Sequence, residues 1–315
     1  MPKPIHRVSA VIRTLTDLPG DIRLIELADR DDWDLPPFTA GAHIDLHLPS
    51  GRIRQYSLVG DPAVSNRYVI AVARDEAGRG GSREVHDGLA VGDEVMLSLP
   101  RNHFPMADEG RVVMVAGGIG LTPFLSMLPA LLAEGRDFAL HVCNGSVARH
   151  GLADLLDGVP PDRLHLHFSD AGTRLDLAEL VATLGPDDHL YVCGPERMLD
   201  AAQAAGEGLG DRLHMERFGA AILAGQTAYE VELARSGEVI RVGAAQTMLE
   251  ALREAGVEVP SSCEAGVCLD CKTRYLSGTP VHRDLIMPQG ERGEFLTPCV
   301  SGCASERIVL DLPLP

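Results

Sequence analysis

The sequence predicts a multidomain fold: a small antiparallel β-barrel, then an α/β layer on a parallel sheet, then a compact α+β unit carrying a cysteine cluster. Three observations predict it. The 315 residues are too many for one ordinary domain and suit two or three. Short strands divided by turns give way, near residue 106, to alternating strands and helices. Five of the seven cysteines fall in the last sixth of the chain.

In the first segment, 54–59, 68–73 and 95–99 are short apolar strands separated by Gly-, Pro- and Asp-containing turns, the pattern of a small barrel. Residues 100–105 read as a linker. Strands follow at 112–116, 139–142, 164–168 and 190–193, with helical patterns at 123–134 and 175–184 between them. Alternation of this kind implies a parallel sheet covered by helices. The Gly- and Ala-rich stretch 219–227 is a second linker. Beyond it, 229–234 and 238–242 pair as a hairpin across Arg235-Ser236-Gly237, and 248–255 forms a short helix. The expected domains are 1–105, 106–225 and 226–315.

The formal net charge of −17 excludes nucleic acid as a partner class, because phosphate binding needs a basic footprint. It suits solubility or docking onto a basic protein surface. No apolar run approaches the ~20 residues of a membrane span. Lys3 and Arg7 precede no apolar stretch of signal-peptide type, so a cytoplasmic protein without membrane association is expected.

The strongest motif is Cys263-x4-Cys268-x2-Cys271, followed by Cys299 after 27 intervening residues. This is the plant-type [2Fe–2S] spacing. Four thiolates must converge on two irons, and a tight loop supplies three of them. Small residues such as Ser261, Ser262 and Gly266 leave backbone N–H groups to donate to the sulfides. A zinc site is the alternative, but structural zinc usually uses paired C-x2-C knuckles, and only one is present here. Cys303 is expected to pack as a small hydrophobe.

The strand at 112–116 runs into Gly117-Gly118-Ile119-Gly120-Leu121-Thr122-Pro123 and a helix. Glycines let backbone approach a pyrophosphate, and a helix N-terminus offers unpaired N–H groups. Thr122 is the expected N-cap, and Pro123 the first helical residue. Leu190-Tyr191-Val192-Cys193-Gly194-Pro195 repeats the strand-to-helix turn and sets Cys193 at the same sheet edge, where ligands of open α/β folds bind. On the barrel, Arg54 and a helix starting at Gly80-Gly81-Ser82 could together hold a phosphate, and Tyr56 could pack on an aromatic ring.

With these residues assembled, the chain resembles the phthalate dioxygenase reductase family, including the vanillate O-demethylase reductases, nearly end to end. The carrying stretches are Arg54-Gln55-Tyr56-Ser57-Leu58, Arg74-Asp75 through Gly78-Arg79-Gly80-Gly81-Ser82, Pro100-Arg101-Asn102-His103-Phe104-Pro105, the glycine turn, Cys193-Gly194-Pro195, Glu216-Arg217-Phe218 and Val259-Pro260-Ser261-Ser262-Cys263-Glu264. The resemblance implies an FMN barrel, an NADH domain and a plant-type ferredoxin domain. It implies that Arg54, Tyr56 and Ser57 contact FMN, with Ser57 near the flavin N5, and that Gly80, Gly81 and Ser82 hold its phosphate. Gly118, Gly120 and Thr122 would bind the NADH pyrophosphate, Cys193 would lie near the nicotinamide, and Phe218 would shield the flavin. Cys263, Cys268, Cys271 and Cys299 would hold the [2Fe–2S] cluster.

The family usually has Gly and then a small residue between the second and third cluster cysteines, where this chain has Leu269 and Asp270. A carboxylate there would oppose reduction of the cluster if it sits close to the irons. The resemblance implies a monomeric reductase that takes hydride from NADH and feeds a Rieske-type aromatic ring-hydroxylating or O-demethylating oxygenase. Rival expectations are the same electron chain serving a cytochrome P450 or a di-iron monooxygenase, or a ferredoxin-like redox sensor without turnover. NADH is expected over NADPH because only Asn144, Gly145 and Ser146 directly follow the second sheet strand, with Arg149 later.

Overall fold

A computed structural model of the chain describes residues 7–76, 78, 80–218, 226–244, 246–261, 264, 266, 268–284 and 286–312. It separates into two compact units, the first ending at Arg217 and the second beginning at Phe218.

The first unit opens with a closed antiparallel barrel. Its strands are β1 (Arg7–Leu18), β2 (Ile22–Ala28), β3 (His43–His47), β4 (Ile53–Val59), β5 (Tyr68–Ala73) and, after helix α1 (Gly81–Gly88), β6 (Glu94–Ser98). The order around the barrel is β1-β2-β5-β4-β3-β6. Closure leaves no strand edge exposed for association. Ile25, Leu27, Ile44, Leu46, Leu58, Ile70 and Leu97 fill the interior.

A five-stranded parallel sheet follows. Its elements are β7 (Val112–Gly117), α2 (Thr122–Ala133), β8 (Phe138–Asn144), β9 (Leu164–Phe168), α3 (Leu177–Ala182), β10 (His189–Cys193), α4 (Glu196–Ala205) and β11 (Leu213–Glu216). The order β11-β10-β7-β8-β9 makes β7 central, and its sequence VVMVAG is buried along its whole length. Such a run is what a strand covered on both faces requires. The order reverses at β7, so a topological switch point lies at the ends of β7 and β10.

Barrel and sheet share one core. Ile22, Val59, Ala71 and Phe104 pack with Met114, Phe124, Leu128 and Tyr191. Residues 100–105 therefore join two layers of one packed unit. Phe104 is buried against Phe124 and Tyr191 at ring-centroid distances of 5.9 and 5.3 Å.

The second unit holds β12 (Tyr229–Leu233), β13 (Val239–Val242), α5 (Met248–Glu254), β14 (Thr273–Ser277), β15 (Pro280–Val281), β16 (Phe295–Leu296), β17 (Gly302–Cys303) and β18 (Arg307–Leu310). The expected hairpin forms between β12 and β13, and Gly237 closes its turn at φ 73°. The main sheet runs β13-β12-β18-β14-β16. Helix α5 starts in a capping box, with Thr247 and Glu250 satisfying each other's backbone N–H groups, and buries Met248, Leu249, Ala251 and Leu252.

The expected barrel, parallel sheet and α+β unit are all present. Two local expectations change. Thr122 does not cap α2 from outside: a 3₁₀ turn over Gly118–Leu121 leads into the helix, Thr122 has helical dihedrals, and its hydroxyl donates to the Ile119 carbonyl at 3.0 Å. The tighter turn satisfies backbone groups that a side-chain cap would otherwise serve. The helix expected at 175–184 is shorter, because Asp176 caps it by accepting from the N–H groups of Ala178 and Glu179.

Candidate functional site

The ends of β7 and β10 meet through glycines. A Cβ on Gly117 would lie 2.5 Å from Pro195 Cδ and 3.1 Å from the Gly194 Cα. On Gly120 it would lie 2.2 Å from the Cys193 carbonyl oxygen. These two glycines exist so that the two strand-to-helix turns can touch. Gly118 differs: its φ is 57° and a Cβ there would meet nothing within 4 Å. It lines a cavity of about 730 Å³ at the strand ends. Of the expected nucleotide residues, Gly118 faces this space, Gly120 shapes the turn beneath it, and Thr122 is buried within the turn.

The cavity is bounded by the glycine turn, the ends of β8 and β9, the start of α4, and barrel residues around Asp21 and Arg74. Arg149, Arg174 and Arg197 line it, and Asp21 is its only carboxylate among the described residues. In a chain of net charge −17, this is a local anion site. Cys143 also lines it, and burial pushes that thiol up to about 11, so it stays protonated.

Cys193 is fully buried at the end of β10 and does not line the cavity. Burial, and then the nearby Glu216, hold its thiol well above the ordinary range. It is therefore a neutral thiol and not a nucleophile. Glu216 sits opposite Cys193 in the β10–β11 register. Its Oε2 is buried without a hydrogen-bond partner, and burial pushes the carboxyl up to about 8. Phe218, two residues on, is 44% exposed.

On the barrel, period-two alternation puts Arg54, Tyr56 and Leu58 on one face of β4 and Gln55, Ser57 and Val59 on the other. Leu58 and Tyr56 pack in the barrel core, while Val59 joins the core shared with the sheet. Ser57 is 5% exposed, and its Oγ has no partner. Gln55 Nε2 and His43 Nε2 are also buried and unpartnered, and His43 pairs with Ser57 across β3 and β4. Burial, then the positive charge of Arg101, pushes His43 down to about 4 and keeps it neutral. Orphaned buried polar groups of this kind call for a polar ligand.

The Arg54 side chain lies over the start of α1: a Cβ on Gly81 would be 2.4 Å from Arg54 Nε. Gly80 takes φ 82°, and no side chain caps the helix. The Ser82 hydroxyl is engaged locally, accepting from the Asp75 N–H at 3.0 Å. A guanidinium over uncapped helix N–H groups fits a phosphate. Arg54, Gly80 and Gly81 therefore fit a flavin phosphate, and Ser57 and Tyr56 fit its ring end. None of these five lines the cavity at the sheet edge.

In the second unit Cys271 and Cys299 are 3% and 2% exposed, with their sulfurs 3.2 Å apart. Two sulfurs that close, without a disulfide, fit two thiolates on one iron. Cys268 is half-buried. Cys263, like Ser262 and Arg79, lies outside the described residues. Gly266 takes φ 74°, and a Cβ there would lie 2.8 Å from Val300 Cγ2 and 3.0 Å from the Asp284 Cα. The loop thus packs hard against the rest of the unit.

Leu269 adopts the left-handed conformation, φ 63°, that glycine would take freely. The loop keeps the glycine geometry at a cost of about 1–2 kcal/mol. Asp270 is exposed, so its charge is screened by solvent. Cys303 is buried and bonded to Ser305, consistent with a packing role.

Sequence inspection did not single out Glu216 or His43 as site residues, nor Arg149 and Arg174 as neighbours of one cavity. Their chemistry arises from burial and from strand order, which leave no local pattern.

A 2Fe-2S iron–sulfur cluster binding domain matches residues 231–303. The chain is 41% identical to a vanillate O-demethylase oxidoreductase of Pseudomonas sp. (strain HR199 / DSM 7063), over 97% of this chain and 100% of that one. Among solved structures it matches a phthalate dioxygenase reductase, described as a modular structure for electron transfer from pyridine nucleotides to [2Fe–2S]. That match has a TM-score of 0.86 and 38% identity, covering 97% of this chain and 98% of the other. It also matches an intact type IV self-sufficient cytochrome P450 monooxygenase with TM-score 0.72 and 35% identity, over 99% of this chain and 43% of that one. A fold, a paired-cysteine centre and a likeness that all run the length of the chain lead to one conclusion: this protein belongs to the phthalate dioxygenase reductase family, which includes the vanillate O-demethylase reductases.

Proposed function

We propose that this chain is the reductase component of a Rieske-type aromatic ring-hydroxylating or O-demethylating oxygenase, an NADH-dependent iron–sulfur flavoprotein that passes electrons through FMN and a [2Fe–2S] cluster to the oxygenase. The observation that carries this is the end-to-end likeness to a phthalate dioxygenase reductase, at 97% of one chain and 98% of the other. Residues 1–105 would serve the flavin, 106–225 the nicotinamide nucleotide and 226–315 the cluster. The protein would act in the cytoplasm as a monomer. Among the described residues no helix is long and apolar enough to cross a membrane.

When bound, FMN accepts two electrons as hydride and releases them singly, and the cluster carries one at a time. The protein's own residues bind and orient. Arg54, Gly80, Gly81 and the Ser82 N–H would hold the flavin phosphate, and Tyr56 would pack on the ring. The unpartnered Ser57 Oγ would hydrogen-bond at the flavin N5 edge. Gly118 would face the pyrophosphate, with Gly120 and Thr122 shaping the turn. Cys193 would lie beneath the nicotinamide with its proton retained. Phe218 is the proposed aromatic cover of the flavin. Cys263, Cys268, Cys271 and Cys299 would hold the cluster.

The reading is tested by the absorption spectrum of the purified protein, with the flavin released by acid and identified by chromatography. FMN in one-to-one amount with an iron–sulfur spectrum supports it; FAD, or zinc without iron, overturns it. The likeness to the P450 chain favours a second reading, in which the same domains feed a haem monooxygenase. NADH-driven reduction of a purified Rieske oxygenase against a P450 separates the two. A redox sensor would show no NADH–ferricyanide turnover.

A further inference from the structure

Arg253 lies in the last turn of α5, and its guanidinium is shared between two residues of the cysteine loop. Nη2 donates to the Ser261 hydroxyl at 2.5 Å, and Nη1 lies 2.6 Å from Glu264 Oε1. Ser261 and Glu264 stand on either side of Ser262 and Cys263 in the chain. We infer that Arg253 is a positioning residue for the [2Fe–2S] centre: it ties down the front of the cysteine loop at two points, and its charge offsets that of Glu264, the residue directly after Cys263. This rests on the cluster site proposed above.

The helix that carries Arg253 is a fixed base. A capping box holds its first turn, and Met248, Leu249, Ala251 and Leu252 are buried along it. At its other end the Gly256 N–H donates to the Arg253 carbonyl and the Val257 N–H to the Leu252 carbonyl, both at 2.9 Å, with Gly256 at φ 80°. This left-handed close delivers Val257 and Val259 into the core of the unit. Both the guanidinium and the chain that leads to Ser261 therefore start from packed positions.

The two halves of the loop are held by different forces. At the rear, Gly266 packs on Val300 and Asp284, and Cys271 is buried against Cys299. At the front, Ser261 and Glu264 are half-buried polar residues, and Glu264 takes φ 47°, a left-handed conformation that costs any side chain. Hydrogen bonds and charge hold residues of this kind, and the planar arginine fork supplies two donors at a set spacing. A lysine would supply a single compact charge.

The pair is also shielded. The side chains of Arg253 and Glu264 are 24% and 15% exposed, against 59% and 30% for Arg235 and Asp311 of the same unit. Water screens exposed pairs to near neutrality of effect, and screens shielded ones less. Net charge around an iron–sulfur cluster sets its potential. Removing Arg253 takes a positive charge from the loop and opposes the electron added on reduction, whereas removing Glu264 takes a negative charge and favours it.

The test uses the intact, cofactor-loaded protein and two readouts. One is the midpoint potential of the cluster, from a redox titration followed by electron paramagnetic resonance; the other is the rate of iron release to EDTA. Each variant is checked for retained flavin content. Arg253→Gln is expected to lower the potential and Glu264→Gln to raise it, with the shifts cancelling in the double variant. Iron release should quicken by about fivefold or more in Arg253→Gln, and the double variant should release iron no faster, because both changes break one contact. Arg253→Lys should keep the potential yet still quicken release. Arg235→Gln, which breaks the exposed pair, should stay within about twofold of wild type. Potential shifts of the same sign in the two single variants would show general loosening and overturn the inference. So would unchanged iron release in Arg253→Gln, or Arg235→Gln matching it. Wild-type protein separates the two levels. If it holds iron, sulfide and a [2Fe–2S] resonance and the Arg253 variants match it, only this inference fails; if it holds zinc or no metal, the cluster site itself is wrong.

Discussion

Gly120→Ala isolates what the contact between the two sheet turns does. The added methyl would lie 2.2 Å from the Cys193 carbonyl oxygen, 2.5 Å from its carbon and 2.9 Å from the Gly194 nitrogen. Uncharged carbon and oxygen settle at about 3.3 Å or more, so the turns must part by roughly 1 Å. All three atoms are backbone, so no side chain can swing aside. Gly120 does not have positive φ, and alanine carries no dihedral penalty there. The effect is purely steric, at about 1–3 kcal/mol for overpacking. Its larger consequence is positional, since a displacement near 1 Å at a binding turn can cost about 100-fold in rate. Stopped-flow reduction of the flavin by NADH should slow between about 10- and 100-fold. Flavin content and the iron–sulfur spectrum, which depend on other residues, should stay as in wild type. The control is Gly118→Ala, which meets no atom within 4 Å but must hold φ 57°. An NADH kcat/KM within threefold of wild type for Gly120→Ala would show that the turns do not need this contact.

Three further outcomes follow from the same geometry. Burial raises Glu216 from 4.5 to about 8; between those values the unfolded chain holds fewer protons than the folded one, so stability falls as pH rises, by about 1.4 kcal/mol per unit at most. Glu216→Gln should remove that slope, raising Tm over wild type at pH 8 but not at pH 4.5; parallel Tm profiles would refute it. Gly266→Ala combines a left-handed penalty with a 2.8 Å contact to Val300, about 2–5 kcal/mol together, and should lower iron and sulfide content per chain while flavin content holds. Cys271→Ser should abolish the iron–sulfur absorption yet keep NADH–ferricyanide turnover, because the proposed flavin and nucleotide residues, Phe218 apart, lie in the other compact unit; loss of dye reduction in a folded variant would sink the separation.

Much of the candidate site is legible in the sequence because its chemistry is packed into short segments. Cys263, Cys268 and Cys271, the proposed ligands, fall within nine residues, as three thiolates serving one cluster from one loop would, so their spacing survives as a pattern. The glycine turn is likewise local, since strand, turn and helix follow one another in the chain. Strands 112–116 and 190–193 are visible for a related reason: covered on both faces, they are uninterrupted apolar runs. β1 is less visible because a half-exposed strand such as RVSAVIRTLTDL mixes polar and apolar residues, and β3 because its buried HIDLH carries His43, Asp45 and His47 between the apolar positions.

The tertiary structure decided what depends on residues far apart in sequence. Gly120 and Cys193 are 73 positions apart, and only the parallel pairing of β7 with β10 turns that glycine into a steric necessity. The break at 105/106 is a change of layer and not a packing boundary, because Ile22, Val59 and Ala71 of the barrel share a core with the sheet. Asp270 opposes reduction only where it lies close to the irons, and its exposed place on the loop lets solvent weaken that charge. Leu269 replaces a family glycine, yet the loop holds it at φ 63°, because the surrounding packing outweighs a penalty of about 1–2 kcal/mol. Arg149 looked too distant from its strand to matter for coenzyme choice. Strand order makes it line the same cavity as Arg174, and that shared cavity is a property of the fold that no single stretch of sequence contains.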